Sequence, residues 1–184
     1  MTQALLVMDL QNGIVARLGD QADELLDTLE RVIATARARA MPVIFVRVAF
    51  RAGAPEVSAR NQSFSALKST LPMDETSDAT QIHPRLALLE GDVLVTKRRV
   101  SAFTGSDLDV VLRSLEVDHL VLTGIATSGV VLSTTRQAAD LDYRLTILAD
   151  ACADADPEVH RVLTEKVFPR QATVRSVDDW IANP

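Results

Sequence analysis

The stretch Gly124-Ile125-Ala126-Thr127-Ser128-Gly129-Val130-Val131 is the part of the sequence that decides the fold. It follows the apolar run at 119–123, which is typical of a strand, and it opens a helical pattern at 129–141. A strand that turns directly into a helix is the building unit of an α/β protein. Backbone N–H groups at such a turn can hold an oxyanion or a carboxylate.

The same alternation of strand and helix runs along the rest of the chain. Most of the apolar runs lack the period-two alternation of a half-exposed sheet, which favours strands covered on both faces of a parallel sheet. We therefore predict right-handed crossovers and a doubly wound, Rossmann-like α/β sandwich with ligands beyond the carboxyl ends of the strands. The other predicted strands are 4–8, 42–48, 92–96, 144–149 and 172–175, and the other helices are 23–40, 107–115, with Ser106 as N-cap, and 157–168.

The bulk composition fits one globular domain over residues 1–184. The chain has 47% hydrophobic and 24% charged residues and a net charge of −6, without a basic block, which argues against nucleic acid and anionic membranes as partners. No apolar run reaches the roughly 20 residues of a membrane helix, and the opening run is too short for a signal peptide. The single cysteine and the absence of zinc-ligand spacing predict no disulfide, no metal and no cofactor, and a cytoplasmic location.

Residues 51–83 form a long segment rich in Pro, Gly, Ser, Thr and Asn. It is too long for an ordinary connection, so we predict an active-site loop or lid with a short helix near 63–69; the alternative is a disordered insertion. Arg51, Arg60 and Asn61 are groups that would hold a carboxylate substrate, although a solvated loop surface explains them equally well.

Two charged residues follow predicted strands at the same edge of the sheet. Asp9 comes directly after the first strand, where it is either an acid/base group or a cap for the next helix. Lys97 follows another strand, and a carboxylate beside a lysine is usually a salt bridge. In a buried pocket, desolvation and charge pairing shift both pKa values, and the pair becomes a candidate for catalysis. Arg98 and Arg99 are predicted to be solvated or to meet substrate charge.

Several other groups are weaker candidates. Phe103 is a possible pocket wall, or simply part of the core. Ser128 is either a substrate contact or an N-cap, and we favour the cap. Cys152 has no histidine beside it in sequence, so we predict buried packing rather than a nucleophilic role. The three histidines, His83, His119 and His160, are predicted to be structural or surface groups.

Three separated motifs, in order, resemble the isochorismatase-like hydrolases. They are Val7-Met8-Asp9-Leu10-Gln11-Asn12, then Val95-Thr96-Lys97-Arg98-Arg99-Val100-Ser101-Ala102-Phe103, then Gly124-Ile125-Ala126-Thr127 with Ser133-Thr134-Thr135-Arg136. The resemblance covers nearly the whole chain. It implies a three-layer α/β/α sandwich around a six-stranded parallel sheet, a small-molecule substrate, and a homo-oligomer, either a dimer or a tetramer.

In the amidase branch of that family an Asp-Lys-Cys triad carries the reaction. By resemblance, Asp9 and Lys97 are its first two members, and Val130 stands at the position of the cysteine. The resemblance also implies a non-proline cis peptide at Ile125–Ala126 and oxyanion donors at the N–H groups of Ala126 and Val130. We add Gln11, Phe103 and Thr127 as candidate substrate-binding groups. The nicotinamidase metal ligands have no counterpart in residues 51–61.

Valine has no heteroatom, so acyl transfer through position 130 is excluded. The family also contains isochorismatases that lack the cysteine and hydrolyse a vinyl ether with the aspartate as general acid. We therefore predict a cysteine-independent hydrolase in which Asp9 is the general acid/base and Lys97 its electrostatic partner. One alternative is a catalytically inactive binding protein that retains the pocket. Another is a hydroxyl nucleophile at Ser128 or Thr127, which would need a nearby base.

Overall fold

A six-stranded, wholly parallel sheet forms the centre of the molecule in a computed structural model that describes residues 2–70 and 72–183. The strand order is β3-β2-β1-β4-β5-β6, the doubly wound order predicted from the alternation of strand and helix. The strands are β1 (Gln3–Met8), β2 (Val43–Val48), β3 (Val93–Lys97), β4 (His119–Ile125), β5 (Arg144–Ala153) and β6 (Thr173–Arg175). Residues 1, 71 and 184 of the predicted domain and loop lie outside the described residues.

Helices cover both faces of this sheet. They are α1 (Asn12–Val15), α2 (Ala22–Ala38), α3 (Gln62–Thr70), α4 (Leu108–Ser114), α5 (Leu132–Asp140), α6 (Pro157–Val162) and α7 (Val177–Ala182). Within the described ranges, no helix has both the length and the apolar character required to cross a membrane.

The apolar strands are buried on both faces because each face has its own core. In β1, Leu6 and Met8 pack into the core shared with α4 and α5. Leu5 and Val7 point the other way, into the core formed with α2 and α7. Since successive strand residues face opposite sides, a strand between two cores has few positions for a polar side chain. This explains the unbroken apolar runs and confirms the three-layer sandwich.

The predicted helices are present, with different ends. A wide helical turn at Thr127–Val131 precedes α5, and irregular helical turns extend the segment after α6 to Arg170. Asp107, rather than the predicted Ser106, is the N-cap residue of α4, although the Ser106 hydroxyl still accepts a hydrogen bond from Leu108 N–H at 3.3 Å. The sequence prediction missed α7, whose N-cap hydroxyl at Ser176 accepts a hydrogen bond from Asp179 N–H at 3.1 Å.

Gly124 lets β4 approach the end of β1 closely. Its φ is +143°, and a β-carbon at this position would overlap the Met8 carbonyl oxygen and lie 2.9 Å from Met8 Cβ. Gly124→Ala should therefore lower the free energy of unfolding by about 1–3 kcal/mol, the range for overpacking, as measured by urea denaturation. Gly91→Ala is the matched control, because Gly91 also has positive φ but has open space around it. Equal losses in the two variants would contradict the close-approach explanation.

Candidate active site

Asp9 leaves the sheet at the carboxyl end of β1, beside the point where the strand order reverses between β1 and β4. Its backbone takes a left-handed conformation, with φ at +60°, and its N–H donates to the Val46 carbonyl at 2.8 Å. The side chain does not cap the next helix, since α1 begins after Gln11 without a side-chain cap. The capping alternative for Asp9 is therefore wrong.

Lys97 ends β3, two strands away from β1, and its side chain crosses the end of β2 to reach Asp9. The Lys97 Nζ lies 2.9 Å from Asp9 Oδ2, and both side chains are buried, at 2% and 8% exposure. The same Nζ donates to the Arg99 carbonyl at 2.9 Å. An ammonium group has three N–H donors, so one donor of Lys97 remains for another acceptor. The structure therefore brings the two predicted charged groups together as a buried ion pair.

The carboxyl group of Asp9 has two unequal oxygens. Oδ2 faces Lys97, whereas Oδ1 is buried and has no hydrogen-bond partner among the described residues. Burial raises the pKa of Asp9 above its ordinary value, and the attraction of Lys97 offsets this only in part. A carboxyl oxygen that has no hydrogen-bond partner, on a group of raised pKa, is suited to carrying a proton.

A cavity of about 250 Å³ adjoins this pair. Asp9 and Lys97 are part of its wall, and Ala126, Gly129 and Val130 of the strand-to-helix turn form another part. The remaining wall comes from Ile14, Val48, Val100 and one side of α3. Its volume lies below the 300–1,000 Å³ typical of sites for drug-sized ligands, so the cavity suits a small metabolite.

Helix α3 confirms the short helix predicted within residues 51–83, and it contributes to the cavity. Ser63, Phe64 and Leu67 are the α3 residues in the cavity wall. Phe64 packs edge-to-face on Phe50, with ring centroids 5.6 Å apart. Asn61 caps this helix by accepting from Phe64 N–H at 3.1 Å, so its side-chain oxygen has a structural role. The segment thus lies over the site, and its function as a lid stays a prediction.

The side chains of Asp154 and His160, which are not in the cavity wall, form hydrogen bonds with the turn after β4. The Asp154 carboxylate accepts a hydrogen bond from Ser128 N–H at 2.7 Å. The Thr127 hydroxyl lies 2.8 Å from His160 Nδ1. The peptide bond Ile125–Ala126 is cis, as the family resemblance implied. The favoured N-cap role of Ser128 is wrong, because Ala126 is the residue that precedes the helical turn.

Three candidate substrate-binding side chains lie elsewhere. Gln11 is fully buried, and its amide bonds the backbone of Val48 in both directions and the Thr80 carbonyl, so both N–H donors and the carbonyl oxygen are already engaged within the protein. Phe103 is buried and packs against Tyr143, with ring centroids 6.0 Å apart. Thr127 is fully buried, and its hydroxyl is engaged by His160. None of the three is part of the cavity wall.

Arg98 and Arg99 are bound within the protein and not solvated as predicted, whereas Arg51 and Arg60 are exposed. Arg98 pairs with Glu75 and lies 3.6 Å from Glu56 Oε1. Arg99 donates to the backbone carbonyls of Arg98 and Glu56, at 2.6 and 3.0 Å. Arg51 pairs with Glu56 at 2.5 Å. Arg60 is exposed and lies outside the cavity wall.

Cys152 lies in the core at 6% exposure, and burial raises its pKa to about 12. It is not part of the cavity wall, which agrees with the predicted packing role. A second, larger cavity of about 750 Å³ includes residues that begin β1, β4, β5 and β6, so it lies at the opposite edge of the sheet. Within residues 2–70 and 72–183, no three His, Cys, Asp or Glu side chains are grouped so that they could hold a metal ion.

Removing the ammonium should destabilise the protein in a pH-dependent way. Lys97→Met leaves Asp9 buried without its counterion, and we expect a loss of about 3–5 kcal/mol in the free energy of unfolding at neutral pH. The folded-state pKa of Asp9 is then further above its unfolded value. The unpaired carboxylate therefore costs no stability below the pKa of Asp9 in the unfolded state, near 3.9. Its cost grows as pH rises through the pKa of Asp9 in the folded state. Urea denaturation from about pH 4 to pH 8 measures this dependence.

The matched control for Lys97→Met is the double variant Asp9→Asn/Lys97→Met. It has no carboxylate to leave unpaired, so its loss of stability should vary less with pH. A loss in Lys97→Met that is the same at every pH would show that packing of the lysine chain, rather than charge, stabilises the site.

Known proteins resemble the chain over almost its whole length. The family model described as the isochorismatase domain matches residues 3–179. The uncharacterized isochorismatase family protein YecD of Escherichia coli O157:H7 is 37% identical over 187 residues, covering 97% of this chain and 94% of that protein. The ureidoacrylate amidohydrolase RutB of Pseudomonas syringae pv. syringae (strain B728a) is 34% identical over 206 residues, covering 98% of this chain and 80% of that protein.

Solved structures agree with these sequence relatives. An isochorismatase family protein from Burkholderia thailandensis superposes with a TM-score of 0.86 at 31% identity, covering 98% of this chain and 94% of that one. N-carbamoylsarcosine amidase from Thermoplasma acidophilum superposes with a TM-score of 0.80 at 28% identity, covering 97% and 98%. Fold, sequence and the extent of the match together show that this chain belongs to the isochorismatase family of hydrolases.

Proposed function

We propose that this protein is a cysteine-independent hydrolase of a small carboxylate- or amide-bearing metabolite, with Asp9 as general acid/base and Lys97 as its electrostatic partner. The observation that carries the proposal is the buried Asp9–Lys97 pair in the wall of a small cavity, with one carboxyl oxygen unpartnered. An idle buried ion pair is a weak source of stability, which favours a chemical role for this one.

Two kinds of bond suit this arrangement. With a vinyl ether, protonated Asp9 gives its proton to the alkene carbon. Water then adds to the resulting oxocarbenium carbon and gives one proton back to Asp9, and the neutral hemiketal collapses to an alcohol and a carbonyl compound. With an amide, ionised Asp9 takes a proton from water as the water attacks the carbonyl carbon, and then returns it to the leaving nitrogen. In both routes the remaining N–H of Lys97 can donate to a substrate oxygen.

The turn after β4 supplies the second part of the proposed mechanism. Ala126 and Val130, whose N–H groups are the proposed oxyanion donors, both contribute to the cavity wall. Backbone donors do not depend on the side chain at position 130, so this role is compatible with valine. The amidohydrolase activity of RutB and the amidase activity of the Thermoplasma protein, as their names state, support testing amides beside vinyl ethers.

The test is hydrolysis of a panel of small vinyl ethers, amides and esters by purified protein, with product release measured by mass spectrometry. We expect turnover that survives Cys152→Ala and prior treatment with a thiol-alkylating reagent. Ligand-induced thermal shifts without turnover of any compound would support the alternative of an inactive binding protein. Covalent labelling by a serine-directed probe would instead support a hydroxyl nucleophile.

A further inference from the structure

We infer that this cavity selects uncharged ligands and rejects carboxylates of the same shape. The inference rests on the proposed function only in taking the cavity beside Asp9 and Lys97 as the substrate site. It removes the carboxylate-bearing half of the proposed substrate class and leaves a small, neutral molecule with an apolar body and one hydrogen-bonding group.

The first support is the charge of the cavity wall. Asp9 and Lys97 are the only charged residues in that wall within the described ranges. They are 2.9 Å apart, so when Asp9 is ionised each compensates the charge of the other. The ammonium also donates to the Arg99 carbonyl, which leaves it one donor for a ligand. One N–H of a compensated cation can hold a carbonyl or ether oxygen, but it lacks the charge to balance a carboxylate.

The second support is that no neighbouring arginine is available. Arg98 is held by Glu75, Glu56 and the Ala49 carbonyl, and Arg99 is held by backbone carbonyls. Arg51 is paired with Glu56, whose Oε2 is already buried without a hydrogen bond among the described residues. Moving Arg51 or Arg98 to a ligand would leave Glu56 or Glu75 short of a counterion, which opposes recruitment of these two arginines. Arg99 would instead lose both carbonyl hydrogen bonds and its contact with the Phe64 ring, whose centroid lies 6.0 Å from Arg99 Cζ.

The third support is the character of the remaining wall. The wall side chains contributed by α1, α3 and the loop after β3 are mostly apolar, including Ile14, Phe64, Leu67 and Val100, with Ser63 as the hydroxyl. The Ser63 hydroxyl donates to Asn61 Oδ1 at 3.1 Å. An ionised ligand would exchange water for this surface without gaining a counterion, whereas a neutral ligand of the same shape loses less hydration.

Benzamide and benzoate test the inference, because they share one shape and differ in charge. Isothermal titration calorimetry at about pH 8, where benzoate is ionised, should show benzamide binding to wild-type protein at least about tenfold more tightly than benzoate, a factor that corresponds to about 1.4 kcal/mol. Benzoate binding at least as tightly as benzamide overturns the inference, and so does a wild-type protein that binds neither compound.

A cation added to the cavity wall should change this preference. Leu67→Lys places an ammonium on the α3 side, and we expect the ratio of benzoate to benzamide affinity to rise at least about tenfold. Leu67→Met, neutral and of similar size, should keep the wild-type ratio, and its melting temperature separates charge effects from damage to α3. An unchanged ratio in a folded Leu67→Lys protein overturns the inference.

The binding measurement separates this inference from the proposed function. Preferred binding of benzamide, with no hydrolysis across the substrate panel, would remove the proposed function and leave the inference standing. Hydrolysis that depends on Asp9, combined with preferred binding of benzoate, would support the proposed function and overturn the inference.

Discussion

Asp9→Asn should lower the rate of hydrolysis roughly 10²–10⁴-fold, the range expected when one positioned acid/base group is removed. Asparagine keeps the size and one oxygen of the side chain, so the Lys97 ammonium retains an acceptor, but the amide cannot carry the transferred proton. The loss should appear in kcat more than in KM, because the proton moves only in the transition state. Steady-state kinetics on whichever panel compound is turned over measures this loss.

Two controls make the Asp9→Asn result specific. Asp20→Asn introduces the same chemical change at an exposed position outside the cavity wall and should leave the rate unchanged. The pH profile of the wild type is the second control. Because burial raises the pKa of Asp9, hydrolysis of a vinyl ether should decline as pH rises through that pKa and the acid form is lost. An Asp9→Asn protein with wild-type kcat would exclude Asp9 as the general acid/base.

Val130→Cys should create a reactive thiol where the wild type has none. Val130 is buried, at 2% exposure, but unlike Cys152 it is part of the cavity wall, together with Asp9 and Lys97. A cysteine there would meet the cavity beside a carboxylate that can accept its proton and an ammonium that favours the thiolate. The existing thiol, Cys152, is buried with a pKa of about 12. Even an ordinary cysteine of pKa near 8.5 would hold roughly 10³ times more thiolate than Cys152 at neutral pH. Iodoacetamide labelling followed by intact mass should therefore show one fast site in Val130→Cys.

The engineered thiol also tests whether the site supports acyl transfer. With a small activated ester, Val130→Cys should form a covalent acyl-enzyme that is detectable by mass, and adding Asp9→Asn should slow its formation. Val130→Ala controls for the change in volume and should form no adduct. If Val130→Cys folds but is labelled no faster than Cys152, position 130 is closed to ligands and the mapping of the cysteine position onto the cavity is wrong.

The layout of the fold could be predicted from sequence because it depends on local patterns. Continuous apolar runs such as residues 4–8 predicted strands buried on both faces, and two separate cores confirm this. The meeting of Asp9 and Lys97 was also predictable, since both follow or end parallel strands, whose carboxyl ends lie at one edge. The ends of the helices were less predictable, because the turns around 127–131 and 163–170 are not regular α-helix.

Which side chains face the cavity could not be predicted, because this depends on contacts between residues distant in sequence. Gln11 comes only two residues after Asp9, yet its amide links Val48 to Thr80, 37 and 69 residues away. Phe64 and Leu67 were missed as wall residues, although their spacing of three places them on one side of a helix. Arg98 was misjudged as solvated because its partner Glu75 belongs to a loop whose path the sequence does not specify.

The bonds from Asp154 and His160 have a consequence for how this scaffold can change its chemistry. They fix residues 127 and 128 from outside the cavity, so the peptide path there does not rely on the side chain at 130. The reactive group at position 130 can therefore be exchanged without a change in the path of the backbone. A protein engineer could install sulfur, oxygen or a bare methyl group there and expect the surrounding scaffold to stay in place.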